Sequence, residues 1–172
     1  MTIIAFNGVA PNIAADAFVA TGARIIGNVT IGARASIWYN CVVRGDVGAI
    51  TIGARTNIQD GSVVHVTGGK FNTVIGEDCL IGHLAMIHGC TLEDHAFVGL
   101  GAIVMDGCVI ETDAMLAAGA MLTPGKRIPA GQLWAGRPAV YRRYLNPDDI
   151  ARHRAGAAGY VELAQLRKRE LA

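Results

Sequence analysis

The chain has 172 residues, of which 52% are hydrophobic but only 6% aromatic, and its formal net charge is +1. This length suits one domain, and the near-neutral charge gives no basic footprint for nucleic acid. No apolar run is long enough to span a membrane and no signal-peptide pattern is present, so we expect a cytoplasmic protein. The four cysteines form no C-x-x-C pair and are expected to be small buried residues.

An aliphatic residue recurs every six positions over roughly residues 13 to 130, with two interruptions. This period fits neither an α-helix nor a heptad, but it fits a short strand followed by a turn. We expect one aliphatic side chain per step to point inward, and three steps to complete one coil of a triangular prism with about 4.8 Å between coils. The repeat positions are Ile13, Val19, Ile25, Ile31, Ile37, Val43, Ile52, Ile58, Val64, Ile75, Ile81, Ile87, Leu92, Val98, Val104, Ile110, Leu116, Leu122 and Ile128.

This arrangement resembles the left-handed parallel β-helix of hexapeptide-repeat proteins, and the hand is taken from that resemblance. The expected fold class is an all-β solenoid with a C-terminal α-helix. Three extra residues interrupt the repeat between Val43 and Ile52. Five more fall between Val64 and Ile75, where two adjacent glycines indicate a loop.

The tail changes character after the repeats. Asn146 is a suitable N-cap for a helix that has Pro147 at its first position and two aspartates directly after it. We expect this helix to span residues 146–170 and to pack on the prism. The chain is predicted to be a single domain, residues 1–172, in which residues 1–140 form the β-helix.

Three histidines are candidates for one metal site, since neutral imidazole is a common metal ligand. His65 follows the inward Val64, and His88 follows the inward Ile87 three steps later. These two histidines should lie on the same face, one coil apart, where both reach one metal. His83 comes one step earlier and lies on another face, so it reaches only the metal of a neighbouring subunit. A closed ring of three chains satisfies every subunit and predicts a trimer with metal at the seams.

Polar residues fall in the same columns. Arg44 should lie one coil beneath His65, with Asp46 close to it. Asp60, with Gln59 beside it, should lie one coil beneath the third histidine. If that histidine crosses a seam, Asp60 crosses with it and meets the neighbour's Arg44. The two charged residues then have either a structural role, as an ion pair that stabilises the trimer, or a catalytic one.

The chain resembles the gamma class of carbonic anhydrases over nearly its whole length. The matching motifs are the run Arg44-Gly45-Asp46, the run from Asn57 to Gly61, and the three histidines. The resemblance implies a homotrimeric lyase that hydrates CO2 reversibly to bicarbonate. It also implies a metal, zinc or alternatively iron or cobalt, that is held by His65, His83 and His88.

By the same resemblance, four polar residues line the site, and a tyrosine of the C-terminal helix corresponds to a site tyrosine of relatives. They are Arg44, Asp46, Gln59, Asp60 and Tyr160. Three neutral imidazoles leave an open position on the metal, whose bound water becomes hydroxide near neutral pH and attacks CO2. The acidic proton-shuttle loop of the best-known archaeal member has no counterpart here beyond Asp46. Proton export is therefore the step for which the sequence offers least, and activity is expected to be low.

Two other functions stay open. A CoA-dependent acyltransferase commonly uses the same fold, but it needs one catalytic histidine as a general base, and its turnover survives chelation of metals. A catalytically weak metal-binding scaffold or accessory protein would keep the metal site without fast turnover. Nucleic acid and membrane partners are not expected.

Overall fold

The computed structural model describes residues 2–170. They form a parallel β-solenoid of about seven turns with a single C-terminal helix, which confirms the predicted left-handed β-helix of hexapeptide repeats. The strands and the helix, in chain order, are β1 (Thr2–Ile4), β2 (Asn12–Ile13), β3 (Phe18–Val19), β4 (Arg24–Ile31), β5 (Ser36–Ile37), β6 (Val42–Ile52), β7 (Asn57–Ile58), β8 (Val63–His65), β9 (Thr73–Ile75), β10 (Leu80–Ile81), β11 (Met86–His88), β12 (Thr91–Leu92), β13 (Phe97–Val98), β14 (Ile103–Val104), β15 (Val109–Ile110), β16 (Met115–Leu116), β17 (Met121–Leu122), β18 (Arg127–Ile128), β19 (Gln132–Ala135), β20 (Val140–Tyr144) and α1 (Pro147–Glu170).

Each turn contributes one strand to each of three faces, and strands of one face pair in parallel with the turns above and below. The first face consists of β2, the second halves of β4 and β6, β9, β12, β15 and β18. The second face consists of β3, β5, β7, β10, β13, β16 and β19, and β20 adds an antiparallel strand at its end. The third face consists of β1, the first halves of β4 and β6, β8, β11, β14 and β17.

The repeat positions fill the core of the prism. From Ile25 to Ile128 every predicted inward position is buried, whereas Ile13 and Val19, at the open first turn, are partly exposed. Side chains alternate along a strand, so the residues that flank the inward positions point outward. All four cysteines are free and buried, as expected.

The two interruptions of the repeat have different structures. The three extra residues before Ile52 extend β6 past a corner of the prism. The five before Ile75 form the predicted loop, in which Thr67 and Phe71 make an isolated antiparallel bridge. After both interruptions the chain returns to register, because Ile52 pairs directly with Ile75.

Helix α1 begins one residue after the predicted boundary and ends at the predicted one. Asn146 and Asp149 cap it reciprocally: each backbone amide donates to the other residue's side-chain oxygen, at 3.2 and 2.8 Å respectively. The helix contacts β3, β5, β7 and β10 and so covers the second face. Its buried residues are Ala157, Val161 and Ala164. No helix within residues 2–170 is both long and apolar enough to cross a bilayer. The single-domain organisation stays a prediction.

Replacing a fully buried rung residue should destabilise the prism far more than replacing an outward one. We expect Leu116→Ala to lower the free energy of unfolding by about 2–5 kcal/mol, because it leaves a cavity in a close-packed core. Val74→Ala, on an outward position that is 44% exposed, should cost less than about 1 kcal/mol. Urea unfolding at one fixed protein concentration measures both values. Equal losses would contradict the inward assignment of the repeat.

Candidate metal centre

The ends of two neighbouring strands of the third face bring His65 and His88 together, and these two residues are called the imidazole pair below. They pair directly in register between β8 and β11, in agreement with the six-residue count. His65 Nδ1 lies 3.0 Å from His88 Nε2, and the ring centroids are 5.1 Å apart. Thr73 ties the backbones together, since its hydroxyl donates to the His65 carbonyl at 2.6 Å and accepts from the Gly89 amide at 2.9 Å.

A carboxylate lies against the outer nitrogen of each imidazole. Asp46 Oδ1 is 3.0 Å from His65 Nε2, and Asp106 Oδ1 is 2.7 Å from His88 Nδ1. Burial alone would raise the pKa of both carboxyls, but hydrogen bonds from these histidines and from other donors outweigh it and hold each pKa below its ordinary value. Both carboxylates are therefore ionised at neutral pH and only accept hydrogen bonds, so each imidazole donates its outer N–H.

When both rings of the imidazole pair are neutral, this arrangement leaves their inner nitrogens unprotonated and turned toward each other. At 3.0 Å two such lone pairs repel, and either a shared proton or a metal ion between the nitrogens removes the repulsion. Two bonds of about 2.0–2.1 Å at a tetrahedral zinc span roughly 3.4 Å, which is close to this separation. The donor set therefore fits a divalent metal. Within residues 2–170 of one chain, however, no group of three or more His, Cys, Asp or Glu side chains could hold a metal ion.

His83 lies elsewhere on the prism, at the corner between the second and third faces. It follows β10, and its Nδ1 is 2.9 Å from Asp60 Oδ2 in the coil beneath, as the count predicts. About 40% of each of the two side chains is exposed. When Asp60 accepts the Nδ1 proton, His83 Nε2 is left free to bind a ligand. The structure thus gives His83 the same carboxylate-backed form as the imidazole pair, but on a different corner.

Two further predicted site residues have partners of their own. Arg44 forms an ion pair with Asp46, so that Asp46 bridges Arg44 and His65. Gln59 is only 4% exposed, and its Nε2 donates to Asn57 Oδ1 at 3.0 Å. The Gln59 amide is therefore engaged on the second face and is not brought to the imidazole pair within this chain.

Tyr160 lies where α1 covers the second face. Its ring packs edge-on against Trp38, with the ring centroids 5.4 Å apart. Burial raises the pKa of Tyr160, and the negative charge of Asp60 raises this pKa further. Tyr160 is therefore on the side of the prism that carries Asp60 and His83, and away from the imidazole pair.

The sequence prediction missed Asp106 and the threonine that supports it. Thr67 donates its hydroxyl hydrogen to Asp106 Oδ2 at 2.8 Å. Three repeat steps after Ile87 is Val104, so Asp106 lies one coil above Gly89, next to His88. The repeat count identifies Asp106 when it is followed one coil upward from His88 as well as one coil downward.

The outer side of the third face is apolar from β6 onward, above the exposed Arg24 of β4, which pairs with Val42. Its outward-pointing residues on successive strands are Val42, Val63, Met86, Ile103 and Met121. Leu84 and Leu100, at the corner that carries His83, are 72% and 52% exposed. An apolar surface therefore lies between the corner with His83 and the corner with the imidazole pair. A groove of about 320 Å³ on this surface is lined by Met86, His88, Ile103, Val104, Met105 and Asp106.

Comparisons with known proteins place the chain among hexapeptide-repeat proteins. A crystal structure of a hexapeptide transferase family protein from Anaplasma phagocytophilum is 48% identical, with a TM-score of 0.92 over 95% of this chain and 96% of that one. A carbonic anhydrase from Geobacillus kaustophilus is 41% identical over 96% of this chain and 91% of its own length. Gamma carbonic anhydrase 1, mitochondrial, from Arabidopsis thaliana is 47% identical over 94% of this chain. No protein-family model matches the chain.

The chain therefore belongs to the gamma carbonic anhydrase family. It covers 59 to 64% of the length of three mitochondrial Arabidopsis members. The residues that resemble the family's metal site lie in two places on one chain, at the imidazole pair and at His83.

Gly89 should tolerate no side chain, because a Cβ there would collide with Asp106 Oδ1 and would lie 3.0 Å from Phe71 Cβ. We compare Gly89→Ala with Gly119→Ala, since both glycines have positive φ (+55° and +66°) but Gly119 faces open space. Gly119→Ala should cost about 1–2 kcal/mol of unfolding free energy from backbone strain alone. Gly89→Ala should cost clearly more in the same urea titration, and equal costs would show that Asp106 is not seated against Gly89.

Proposed function

We propose that this protein is a gamma-type carbonic anhydrase, a lyase that hydrates CO2 reversibly to bicarbonate with a metal held by His65, His83 and His88 between subunits of a homotrimer. The observation that carries the proposal is the imidazole pair. Its two inner nitrogens lie 3.0 Å apart, and a carboxylate contacts the outer nitrogen of each ring. The arrangement of the two imidazoles suits a metal, and within residues 2–170 the same chain supplies no third ligand to complete the group.

A second copy of the chain supplies the third ligand in this proposal. The apolar third face needs cover, and it separates the corner with His83 from the corner with the imidazole pair. Packing the third face of one chain against a neighbour hides its outward Val, Ile and Met side chains from water. The same contact offers His83 of one chain to the imidazole pair of the next. Three such head-to-tail contacts close a ring.

Zinc is the metal we propose, with iron or cobalt as alternatives, and when bound it supplies an acidified water that can attack CO2 near neutral pH. The chain's own residues would prepare the site. Asp46 accepts the outer N–H of His65 and also holds Arg44. Asp60 holds His83. The guanidinium of Arg44 would attract bicarbonate, although its ion pair with Asp46 offsets part of that attraction. Gln59 and Tyr160 contribute to the site only from the His83 side of a seam.

The cellular location stays a prediction. A cytoplasmic location was expected from the sequence, whereas the Arabidopsis relatives are named as mitochondrial. The substrate and the trimeric assembly are likewise proposals, because the chain covers only part of the length of those relatives.

Complementation between two inactive variants tests the shared site. His83→Ala and His88→Ala should each abolish metal binding when produced alone. When the two are co-expressed at equal levels, a seam is complete only where a His83→Ala chain supplies the imidazole pair and a His88→Ala chain supplies His83. Random assembly makes this combination at about one seam in four, which should bind metal. Elemental analysis of the purified mixture measures the metal per chain.

The matched control is His65→Ala co-expressed with His88→Ala. Both variants damage the imidazole pair, so no order of chains restores a seam and no metal should be recovered. Recovery in this control, or none in the first mixture, would mean that the metal site is not shared as proposed.

A CO2-hydration assay of the metal-loaded protein separates the candidate functions. We expect hydration above the uncatalysed rate that is lost in His88→Ala and on removal of the metal by a chelator. The 48% identical Anaplasma structure carries a transferase family name, which makes acyl transfer the second candidate. Acetyl-CoA turnover that survives chelation would favour that candidate. One metal per chain without either activity would point to a metal-binding scaffold or accessory protein.

A further inference from the structure

Asp106 contacts the imidazole pair but is absent from the motifs that define the family resemblance. Its Oδ1 accepts the Nδ1 proton of His88 at 2.7 Å, and its Oδ2 accepts the hydroxyl proton of Thr67 at 2.8 Å. Both carboxylate oxygens are therefore committed, one to an imidazole and one to a loop. The carboxylate is about 30% exposed, so water competes for it only in part.

The loop that holds Asp106 is the five-residue interruption of the repeat. Thr67 closes it, because its carbonyl accepts the amides of Lys70 and Phe71 at 3.2 and 3.0 Å. The Phe71 side chain lies over Gly89 and Gly107, the glycines of the coil that carries His88 and of the coil above. The loop thus covers the strand end at His88 and fixes the hydroxyl that Asp106 accepts.

The chemical consequence concerns the tautomer of His88. The 2.7 Å hydrogen bond between His88 Nδ1 and Asp106 Oδ1 favours the neutral tautomer with its proton on Nδ1, in which Nε2, turned toward His65, can bind a ligand. Rotation of the ring by 180° would exchange a nitrogen for a carbon at this position. A carboxylate that holds the distal nitrogen of a ligating histidine fixes the ring and raises its basicity, and the loss of such a partner typically weakens metal binding by about 10–100-fold.

We propose that Asp106 is a positioning residue for His88, held in place by the loop from Thr67 to Phe71, and that it presents His88 Nε2 to a divalent metal. The inference rests on the proposed function, because it concerns the same metal site. It assigns a purpose to the second interruption of the repeat, which has no role in the ligand set itself.

Asp94 provides a matched control within the chain. It occupies the equivalent position two steps earlier in the repeat, also two residues after an inward aliphatic and close to the glycine of the coil beneath, Gly76. Its Oδ1 accepts the backbone amide of Glu77 at 2.8 Å instead of an imidazole. Asp94→Asn therefore reproduces the loss of a carboxylate charge at this kind of corner without touching a histidine.

The test measures metal affinity and the His88 tautomer separately. Competition of the assembled protein with a chromophoric chelator for Zn²⁺ gives the affinity, and nitrogen-15 NMR of the histidine rings in the metal-free protein gives the tautomer. Asp106→Asn should weaken Zn²⁺ binding about 10–100-fold and shift His88 away from the Nδ1–H form. Thr67→Val should weaken binding in the same direction by a smaller factor, while Thr67→Ser and Asp94→Asn should stay within about twofold of the unchanged chain.

The outcomes distinguish this inference from the proposed function. If the unchanged chain binds one Zn²⁺ that depends on His88, but Asp106→Asn and Thr67→Val bind it equally well with the same tautomer, the positioning role is wrong and the proposed function stands. Absence of metal binding in the unchanged chain overturns both. Circular dichroism and the oligomeric state check that each variant is folded, and Thr67→Val still decides the question if Asp106→Asn fails to fold.

Discussion

The in-register stacking of parallel strands is the constraint on which the rest of the structure depends. Backbone hydrogen bonds between successive coils fix the spacing and leave no freedom for one coil to slide along the next. His65 and His88 are neighbours because Val64 pairs with Ile87 and the chain then takes one more step in both strands. A slip of one residue would turn one histidine into the core and one core residue into water.

The same stacking organises the electrostatics around the imidazole pair. Each neutral ring has an anionic oxygen on its outer side, and each anion has a second donor, Arg44 for Asp46 and Thr67 for Asp106. This alternation of donor and acceptor turns the outer nitrogens toward the carboxylates and leaves the two inner nitrogens facing each other. The backbone holds these two nitrogens close together, and a metal ion bound to both would accept both lone pairs. His83 with Asp60 repeats the unit once more on another corner.

The sequence predicts this fold unusually well, because one short period decides both the strand direction and the burial of each residue. The inward positions, the helix and the loop before Ile75 follow from repeat spacing, caps and adjacent glycines. The column that joins His65 to His88, and the separate position of His83, follow from the same count.

The six-residue repeat fixes where each backbone position lies, but it does not predict which way a side chain points. The repeat places Gln59 beside Asp60, yet the Gln59 amide turns to Asn57, since several rotamers fit one backbone position. Asp106 is far from His88 in sequence, and only the loop with Thr67 fixes which way its carboxylate points. The position of Tyr160 depends on the register of a helix against the prism, where its ring packs against Trp38.

The division of the ligands between two corners has a consequence for how metal and assembly depend on each other. One chain preorganises two nitrogens at no further entropic cost, because both rings stand on a backbone that stacking already holds. The third nitrogen belongs to a corner that no motion within a rigid prism can bring closer. If the site is shared as proposed, the metal binds the trimer and not the separate chain. By linkage, each bound ion then stabilises the contacts between subunits that bring His83 to it. An apolar face between the two corners then has a double role: it supplies the association energy, and it sets the distance over which the ligands meet.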